Sequence, residues 1–225
     1  MKRKQLLLLI LTAAVLAAVL GGLWFGQYRL YRPSGERIVL KAADDHELSY
    51  PTTQALVRIG DLLKEWTRGR ITVQVYHSAQ LGSEKETIEQ TQLGAIDINR
   101  VNINPLTQVV PALKVFSLPY LFRDLEHLHT VLDGPIGEEL LAELSGAELV
   151  GLGYDNSGQR SFYNSLRPIR SPEDMQNMQI RVQKAEIMSD IVRSVGARPI
   201  KMAFEEVYTG LQTGVIQGAE NNVPS

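Results

Sequence analysis

The chain contains no cysteine, which excludes a disulfide framework and excludes lipid attachment through an N-terminal cysteine. It also lacks a G-x-S-x-G nucleophile motif and a glycine-rich phosphate loop. These absences leave no recognisable catalytic constellation in the sequence. We therefore expect a protein without enzymatic activity, without a cofactor and without a metal site.

The chain also lacks an excess of positive charge outside its N-terminal region. Residues 1–37 hold six Lys or Arg and one acid, a surplus of +5; since the whole chain carries −2, the remaining residues carry −7. Nucleic-acid binding needs a basic face that releases counterions, so this class of partner is excluded. Any small anion that the protein binds must be held by a local cluster of donors.

The N-terminal region has the pattern of an export signal. Lys2, Arg3 and Lys4 precede an almost unbroken apolar run from Leu6 to Phe25. The run is close to the length that spans a bilayer, so both a cleaved signal peptide and an uncleaved inner-membrane anchor fit residues 1–30. In either case the rest of the chain is expected to lie in the periplasm.

Patterns typical of strands and helices alternate after the N-terminal region, which predicts an α/β fold. Thr52 or Thr53 is predicted to cap the first helix, and Ser83 with Glu86 forms a predicted capping box for the next. The predicted strands are 38–43, 71–76, 96–101, 149–153, 179–183, 199–202 and 215–220.

Arg181 is the most informative side chain in these predicted strands. It stands between Ile180 and Val182, whose alternation places them on the core face and Arg181 on the other. A guanidinium at this position offers a planar pair of donors that matches a carboxylate. The alternative from residue type alone is an exposed salt bridge, with Glu173 or Asp174 as its partner.

Several other polar groups have a simpler interpretation as ordinary surface residues. His127 and His129 point to different sides of a predicted helix, so we expect a solvated helix face and no metal site. The adjacent acids Asp44 and Asp45 are expected to be exposed charges at the end of an element, as are Glu205 and Glu206.

The sequence resembles the solute-binding proteins of tripartite ATP-independent periplasmic (TRAP) transporters, of the DctP type. The resemblance covers nearly everything after residue 38, with separated motifs in the same order. They are ADDHELSYPTTQAL (43–56), LGSEKETIEQTQLGAIDINRV (81–101), VFSLPYLFRDLEHLHTVLDGPIGEELL (115–141), and the run 158–221 with GQR, IRV, MAFEEVY and GAEN.

The resemblance implies a two-lobed periplasmic-binding-protein-like fold, each lobe a mostly parallel sheet flanked by helices. Lobe I would take residues 31–150 and lobe II residues 151–225, with one acidic solute enclosed between them. The resemblance implies that the arginine of IRV, Arg181, forms a two-pronged salt bridge with the solute carboxylate. It assigns supporting contacts to Arg160, Asn221 and the ring of Phe204.

Four residues of the first lobe are implied as further contacts to the solute. His46 and Tyr50 follow the first strand, and Asn102 and Asn104 follow the strand that ends at Val101. Where many relatives carry small hydroxyl residues after that strand, this chain has asparagines. The resemblance therefore leaves open whether the solute is a dicarboxylate, a sugar acid or another organic acid.

The implied function is to capture a small organic acid and to deliver it to the membrane subunits of a TRAP permease. Two alternatives remain at this stage: a sensor of the same fold that signals to a receptor, and an exported hydrolase. Family members continue past Ser225, so we expect the chain to stop short of elements that complete both lobes. Uncovered edge strands and apolar surface would then follow.

Overall fold

The computed structural model describes residues 37–223 of the chain. The predicted export segment, residues 1–30, lies outside the described residues. Among the helices within 37–223, none has the length and apolar character needed to cross a membrane. The described chain builds two β-sheets.

The first sheet has three strands in the order β2-β1-β3, and β1 runs parallel to β3. The parallel pair brings the exits of β1 and β3 to the same edge of the sheet, where ligand sites of α/β proteins lie. The strands and helices in this part are β1 (Ile38–Ala43), α1 (Pro51–Trp66), β2 (Ile71–Tyr76), α2 (Glu84–Gln92), β3 (Ile98–Asn99), α3 (Ile103–Leu106), α4 (Leu125–Leu132) and α5 (Pro135–Ala142), with 3₁₀ helices at Pro111–Ser117 and Glu143–Ala147.

The second sheet has four strands in the order β4-β7-β5-β6, and only the β4–β7 pair is antiparallel. In its register Arg160 lies opposite Asn222, and Arg181 lies opposite Ala219. The elements are β4 (Arg160–Asn164), β5 (Gln179–Val182), α6 (Glu186–Ser194), β6 (Arg198–Lys201), α7 (Val207–Thr213) and β7 (Gly218–Asn222), with 3₁₀ helices at Pro172–Met175 and Phe204–Glu206.

Strand β5 has one face in a hydrophobic core. Ile180 and Val182 are fully buried, and they pack with Met188 and Val192 of α6. Because side chains alternate along a strand, this packing directs Arg181 to the opposite face of the sheet. The predicted orientation of Arg181 relative to its two neighbours is therefore confirmed.

Some predicted local features are confirmed and others are wrong. The capping box of α2 is present, with Glu86 Oε2 accepting a hydrogen bond from the backbone N–H of Ser83 at 2.7 Å. Helix α1, however, begins at Pro51 after Tyr50, since proline suits the first turn of a helix. Thr53 is not its cap; it is buried and donates to Asp44 Oδ2 at 2.9 Å.

The predicted strand at residues 149–153 is wrong. This segment belongs to neither sheet of the described chain, and Val150 and Leu152 are 82% and 79% exposed. An alternating apolar pattern makes a strand only where a neighbouring strand supplies the ladder hydrogen bonds. Strand β4, which pairs with β7, was missed by the sequence prediction.

Gly218 permits the close approach of β7 to β4. A Cβ atom there would lie 2.4 Å from the backbone oxygen of Tyr163, so Gly218→Ala must push the two strands apart. We expect a loss of about 1–3 kcal/mol in the free energy of unfolding, measured by urea denaturation. Gly146→Ala is the control, because a Cβ at Gly146 meets no atom within 4 Å. Equal effects of the two substitutions would contradict the tight packing at Gly218.

Candidate functional site

Arg181 is buried, with only 2% of its surface exposed, and this excludes the alternative of an exposed salt bridge. Its Nε donates a hydrogen bond to the backbone oxygen of Met202 at 2.9 Å. Within residues 37–223 its two terminal nitrogens make no hydrogen bond, so the donor pair is available. Burial lowers the pKa of Arg181, and the nearby charge of Glu220 opposes that shift.

Arg160 lies on the neighbouring part of the second sheet and is paired with Glu220. Its Nε donates to Glu220 Oε2 at 2.5 Å, and its Nη2 donates to the backbone oxygen of Glu220 at 3.0 Å. Glu220 is 3% exposed, and its other carboxylate oxygen, Oε1, has no hydrogen-bond partner among the described residues. Arg160 is therefore already engaged with an acid, whereas Arg181 is not.

The end of β7 connects the second sheet to the loop that follows β1. Asn222 Nδ2 donates to the hydroxyl of Tyr50 at 2.5 Å and to the backbone oxygen of Ser157 at 2.6 Å. Asn221 is buried, and its Oδ1 accepts a hydrogen bond from the backbone N–H of Asn222. These bonds bring the predicted residues Asn221 and Tyr50 into one region.

His46 forms the centre of an aromatic group. Its ring stacks on that of Tyr50, with a centroid distance of 4.0 Å and an interplanar angle of 20°. The ring of Phe204 lies 5.0 Å from that of His46. Three residues predicted as solute contacts, two that follow β1 and one that follows β6, therefore form one aromatic group.

His46 also belongs to a buried network of charges. Its Nδ1 lies 3.1 Å from Asp44 Oδ1 and 2.9 Å from Asp45 Oδ1, and Arg100 Nη1 lies 3.8 Å from Asp45 Oδ1. Burial by itself lowers the pKa of His46, but the hydrogen bonds with Asp44 and Asp45 outweigh it and raise the pKa to about 9. His46 is therefore protonated at neutral pH.

Asp44 and Asp45 are buried, with 3% and 7% of their surfaces exposed, so the expectation of exposed charges was wrong for this pair. The protonated His46 and the guanidinium of Arg100 compensate the two carboxylates, which makes the burial tolerable. Glu205 and Glu206, by contrast, are exposed as expected. Although Asp44, Asp45 and His46 could geometrically hold an ion, the two cations already neutralise the carboxylates.

Asn102 is held by Glu84, the first residue of α2. Glu84 Oε1 accepts hydrogen bonds from the backbone N–H of Asn102 at 2.5 Å and from its Nδ2 at 2.9 Å. Burial, and then the charge of Asp45, raise the pKa of Glu84 to about 7 despite these bonds. The charge of Glu84 also acts on the pKa of Arg181, so this acid and the arginine lie near each other.

Asn104 links the helix after β3 to the end of β5. Its Nδ2 donates to Gln183 Oε1 at 2.5 Å, and its Oδ1 accepts from the hydroxyl of Ser117. Gln183 lies two residues beyond Arg181 on the same side of β5. A second hydrogen bond in this region runs from Gln108 Nε2 to the backbone oxygen of Lys184.

The structure therefore brings the predicted residues of both sheets to one region, and it adds four that the sequence interpretation missed. These are Asp45, Arg100, Glu84 and Glu220. Asp45 and Arg100 directly follow β1 and β3, so the position of ligand sites at strand exits was the signal that pointed to them. Glu84 and Glu220 had no such signal, since their roles depend on side chains distant in sequence.

The raised pKa of His46 leads us to expect that the free energy of unfolding depends on pH. The folded protein holds this proton up to about pH 9, whereas the unfolded chain releases it near pH 6.5. The contribution of His46 to the free energy of unfolding is therefore complete below pH 6.5 and is lost as the pH rises to 9. His46→Gln should remove this decrease, measured by urea denaturation at several pH values between 6 and 9.

The exposed His129 provides a matched control for this experiment. His129→Gln should keep the decrease in stability between pH 6.5 and 9. Glu84 contributes in a lower window: its raised pKa makes stability fall between about pH 4.5 and 7. A slope above pH 7 that persists in His46→Gln would contradict the charged network around His46.

Comparison with a family model and with curated proteins identifies solute-binding proteins as relatives of this chain. The family model of bacterial extracellular solute-binding proteins, family 7 (DctP), matches residues 43–225. A solute-binding protein of Chromohalobacter salexigens is 39% identical over 180 residues, which are 80% of this chain and 54% of the relative. The C4-dicarboxylate-binding periplasmic protein DctP of Rhodobacter capsulatus is 32% identical over 214 residues, 94% of this chain and 63% of that protein.

The fold is also found in solved structures of binding proteins. A TRAP periplasmic solute-binding protein of Xanthobacter autotrophicus Py2, crystallised with β-D-galacturonate, is 46% identical and superposes with a TM-score of 0.79. The match covers 81% of this chain and 61% of that structure. The predicted α/β fold of the periplasmic-binding-protein type is confirmed.

The relatives in these comparisons are named as binding proteins, and the chain spans 54% and 63% of the length of the two curated ones. The match to the family model begins at the end of β1 and includes every residue of the site described above. This chain therefore belongs to the bacterial extracellular solute-binding proteins of family 7, the DctP family.

Proposed function

We propose that this protein binds a small organic acid, with a sugar acid as its solute class, and delivers it unchanged to the membrane subunits of a TRAP permease. The observation that carries the proposal is Arg181: a buried guanidinium whose Nε is fixed on Met202 while its terminal nitrogens have no hydrogen bond within residues 37–223. A buried cation without a bonded anion is costly, and a ligand carboxylate relieves that cost.

The guanidinium of Arg181 is better suited to bind a carboxylate than the side chain of a lysine would be. The hydrogen bond from Nε to Met202 holds the guanidinium plane in one orientation, so its remaining edge is presented in advance to a planar carboxylate. A lysine would offer a single charged nitrogen without this orientation. Ordering the donor before binding reduces the entropy lost when the solute arrives.

The other site residues have roles that follow from their positions. We infer that the rings of Phe204, His46 and Tyr50 pack against the carbon skeleton of the solute. Asn221 supplies a hydrogen bond near Arg181, and Arg160 adds positive charge from beside Glu220. Asn102 and Asn104 complete the polar lining, with their side chains held by Glu84, Gln183 and Ser117.

We propose that residues 31–150 and 151–225 contribute to two lobes that enclose the solute between them. Hydrogen bonds between side chains join the two parts from Asn104 to Gln183, from Arg100 to Ser157, and from Asn222 to Tyr50. The side chains of Gln108 and Tyr154 add hydrogen bonds to backbone oxygens of the opposite part. Closure of such lobes removes water from the arginine and its ligand, which strengthens their interaction. It also gives the permease a closed shape to recognise.

The proposed location is the periplasm, in keeping with the extracellular description of the family. The sugar-acid class is supported by the galacturonate bound in the 46% identical relative. Residues 6–25 would direct export and, if retained, would anchor the protein to the inner membrane beside the permease.

Substitution of Arg181 tests this proposal. We expect Arg181→Ala to abolish the binding of D-galacturonate, measured by isothermal titration calorimetry. Arg181→Lys should weaken binding by about 1.5–3 kcal/mol, since it keeps the charge and loses the paired donors. Arg198→Lys is the matched control, because Arg198 lies on neighbouring β6 and is exposed.

A thermal melt of each variant verifies that the fold is intact. A ligand that binds the folded state raises the melting temperature, so the same melts repeated with D-galacturonate give an independent measure of binding. Near-normal affinity of a folded Arg181→Ala variant would overturn the proposed function, and so would the absence of binding by the unsubstituted protein to any of a series of organic acids.

A further inference from the structure

The charged side chains of the site fall into two interacting groups. The arginine end consists of Arg160, Arg181 and Glu220. The acid end consists of Asp45 and Glu84, with Asp44, His46 and Arg100 behind them. Building on the proposed function, we propose that this division selects a solute with one carboxylate and hydroxyl groups at its far end, and that it rejects dicarboxylates.

The arginine end has charge for only one carboxylate. It contains two guanidinium groups and one carboxylate, a net charge of +1. Arg160 donates two hydrogen bonds to Glu220, which leaves Arg181 as the cation without a bonded acid. One ligand carboxylate neutralises this end, and a second would meet no further uncompensated positive charge.

Glu220 also provides a hydrogen-bond acceptor that no described residue satisfies. Its Oε1 is buried and has no partner within residues 37–223. A buried acceptor without a donor is costly, so a ligand that brings an O–H group is favoured there. A hydroxyl next to the bound carboxylate supplies that donor, whereas a second carboxylate is an acceptor and cannot.

The acid end has the same preference for donors over acceptors. Asp45 Oδ1 is paired with His46 Nδ1 at 2.9 Å, and Asp45 Oδ2 has no partner among the described residues. With Asp44, Asp45 and Glu84 ionised against His46 and Arg100, this end carries a net charge of −1. Hydroxyl groups can donate to these oxygens, while a carboxylate placed here is repelled.

Glu84 makes the preference for a solute with one carboxylate depend on pH. Its charge acts on Arg181, and it is itself influenced by Asp45 and Arg100. Because burial and Asp45 raise its pKa to about 7, Glu84 gains its charge as the pH rises through neutrality. The repulsion of a second ligand carboxylate should grow over the same range.

Two linear sugar acids of equal length test the proposal directly. D-galactonate ends in a CH₂OH group and D-galactarate ends in a second carboxylate, so the pair differs only at the far end. We expect the full chain to bind D-galactonate roughly tenfold or more tightly than D-galactarate by isothermal titration calorimetry at pH 8. Equal affinities, or a preference for D-galactarate, would overturn the inference while leaving the proposed function intact.

Glu84→Gln assigns the discrimination to one side chain. The substitution keeps the oxygen that accepts from Asn102 and removes the charge, so the ratio of the two affinities should decrease. Glu220→Gln should decrease it as well, because the neutral amide leaves the charge of Arg160 uncompensated and so increases the positive charge that a second carboxylate meets. Glu205→Gln is the control and should leave the ratio unchanged, because Glu205 is exposed in the 3₁₀ helix that follows β6.

The ratio of the two affinities can also be measured at several pH values in the unsubstituted protein, which does not require that a variant folds. The preference for D-galactonate should rise between pH 6 and pH 8 in the unsubstituted chain, and this rise should disappear in Glu84→Gln. A ratio that is constant with pH, or that rises equally in Glu84→Gln, would contradict the role of Glu84. If none of D-galactonate, D-galactarate and D-galacturonate binds, both this inference and the proposed function fail.

Discussion

The burial of a guanidinium on a central strand is the constraint on which the site depends. Arg181 lies on β5, whose other face is locked into the core by Ile180 and Val182. The same alternation that buries two aliphatic side chains leaves the arginine on the opposite face, with its Nε fixed by Met202. The cost of placing a charge there is recovered only when an anion pairs with it, so core packing and ligand binding are linked through one strand.

Around this arginine the structure uses buried ion pairs to set the charge that a ligand meets. Glu220 engages Arg160, and the pair of Asp44 and Asp45 faces His46 and Arg100. Buried pairs of this kind contribute little net stability, because desolvation offsets much of the attraction. These pairs leave Arg181 without a bonded acid, and they leave Glu220 Oε1 and Asp45 Oδ2 without a hydrogen-bond donor among the described residues.

Sequence reasoning succeeded where a local rule was sufficient and failed where the partner was distant. The capping box at Ser83 needs only Glu86, three residues away, and it is present. Residues 149–153 form a short apolar run that resembles a buried strand, but the segment pairs with neither sheet of the described chain. Residue type alone predicts that Asp44 and Asp45 are exposed, but β3 brings Arg100 to the same sheet edge and makes their burial possible.

The sequence by itself determined the alternation of strands and helices and the orientation of Arg181, and its family motifs predicted the residues that we propose as the site. These features follow from periodicity and from residue chemistry, both of which act over a few positions. Only the tertiary structure decided that Glu220 binds Arg160, that Glu84 lies near Arg181, and that His46 holds its proton. Those properties depend on burial and on charges from separate strands, which no short stretch of sequence contains.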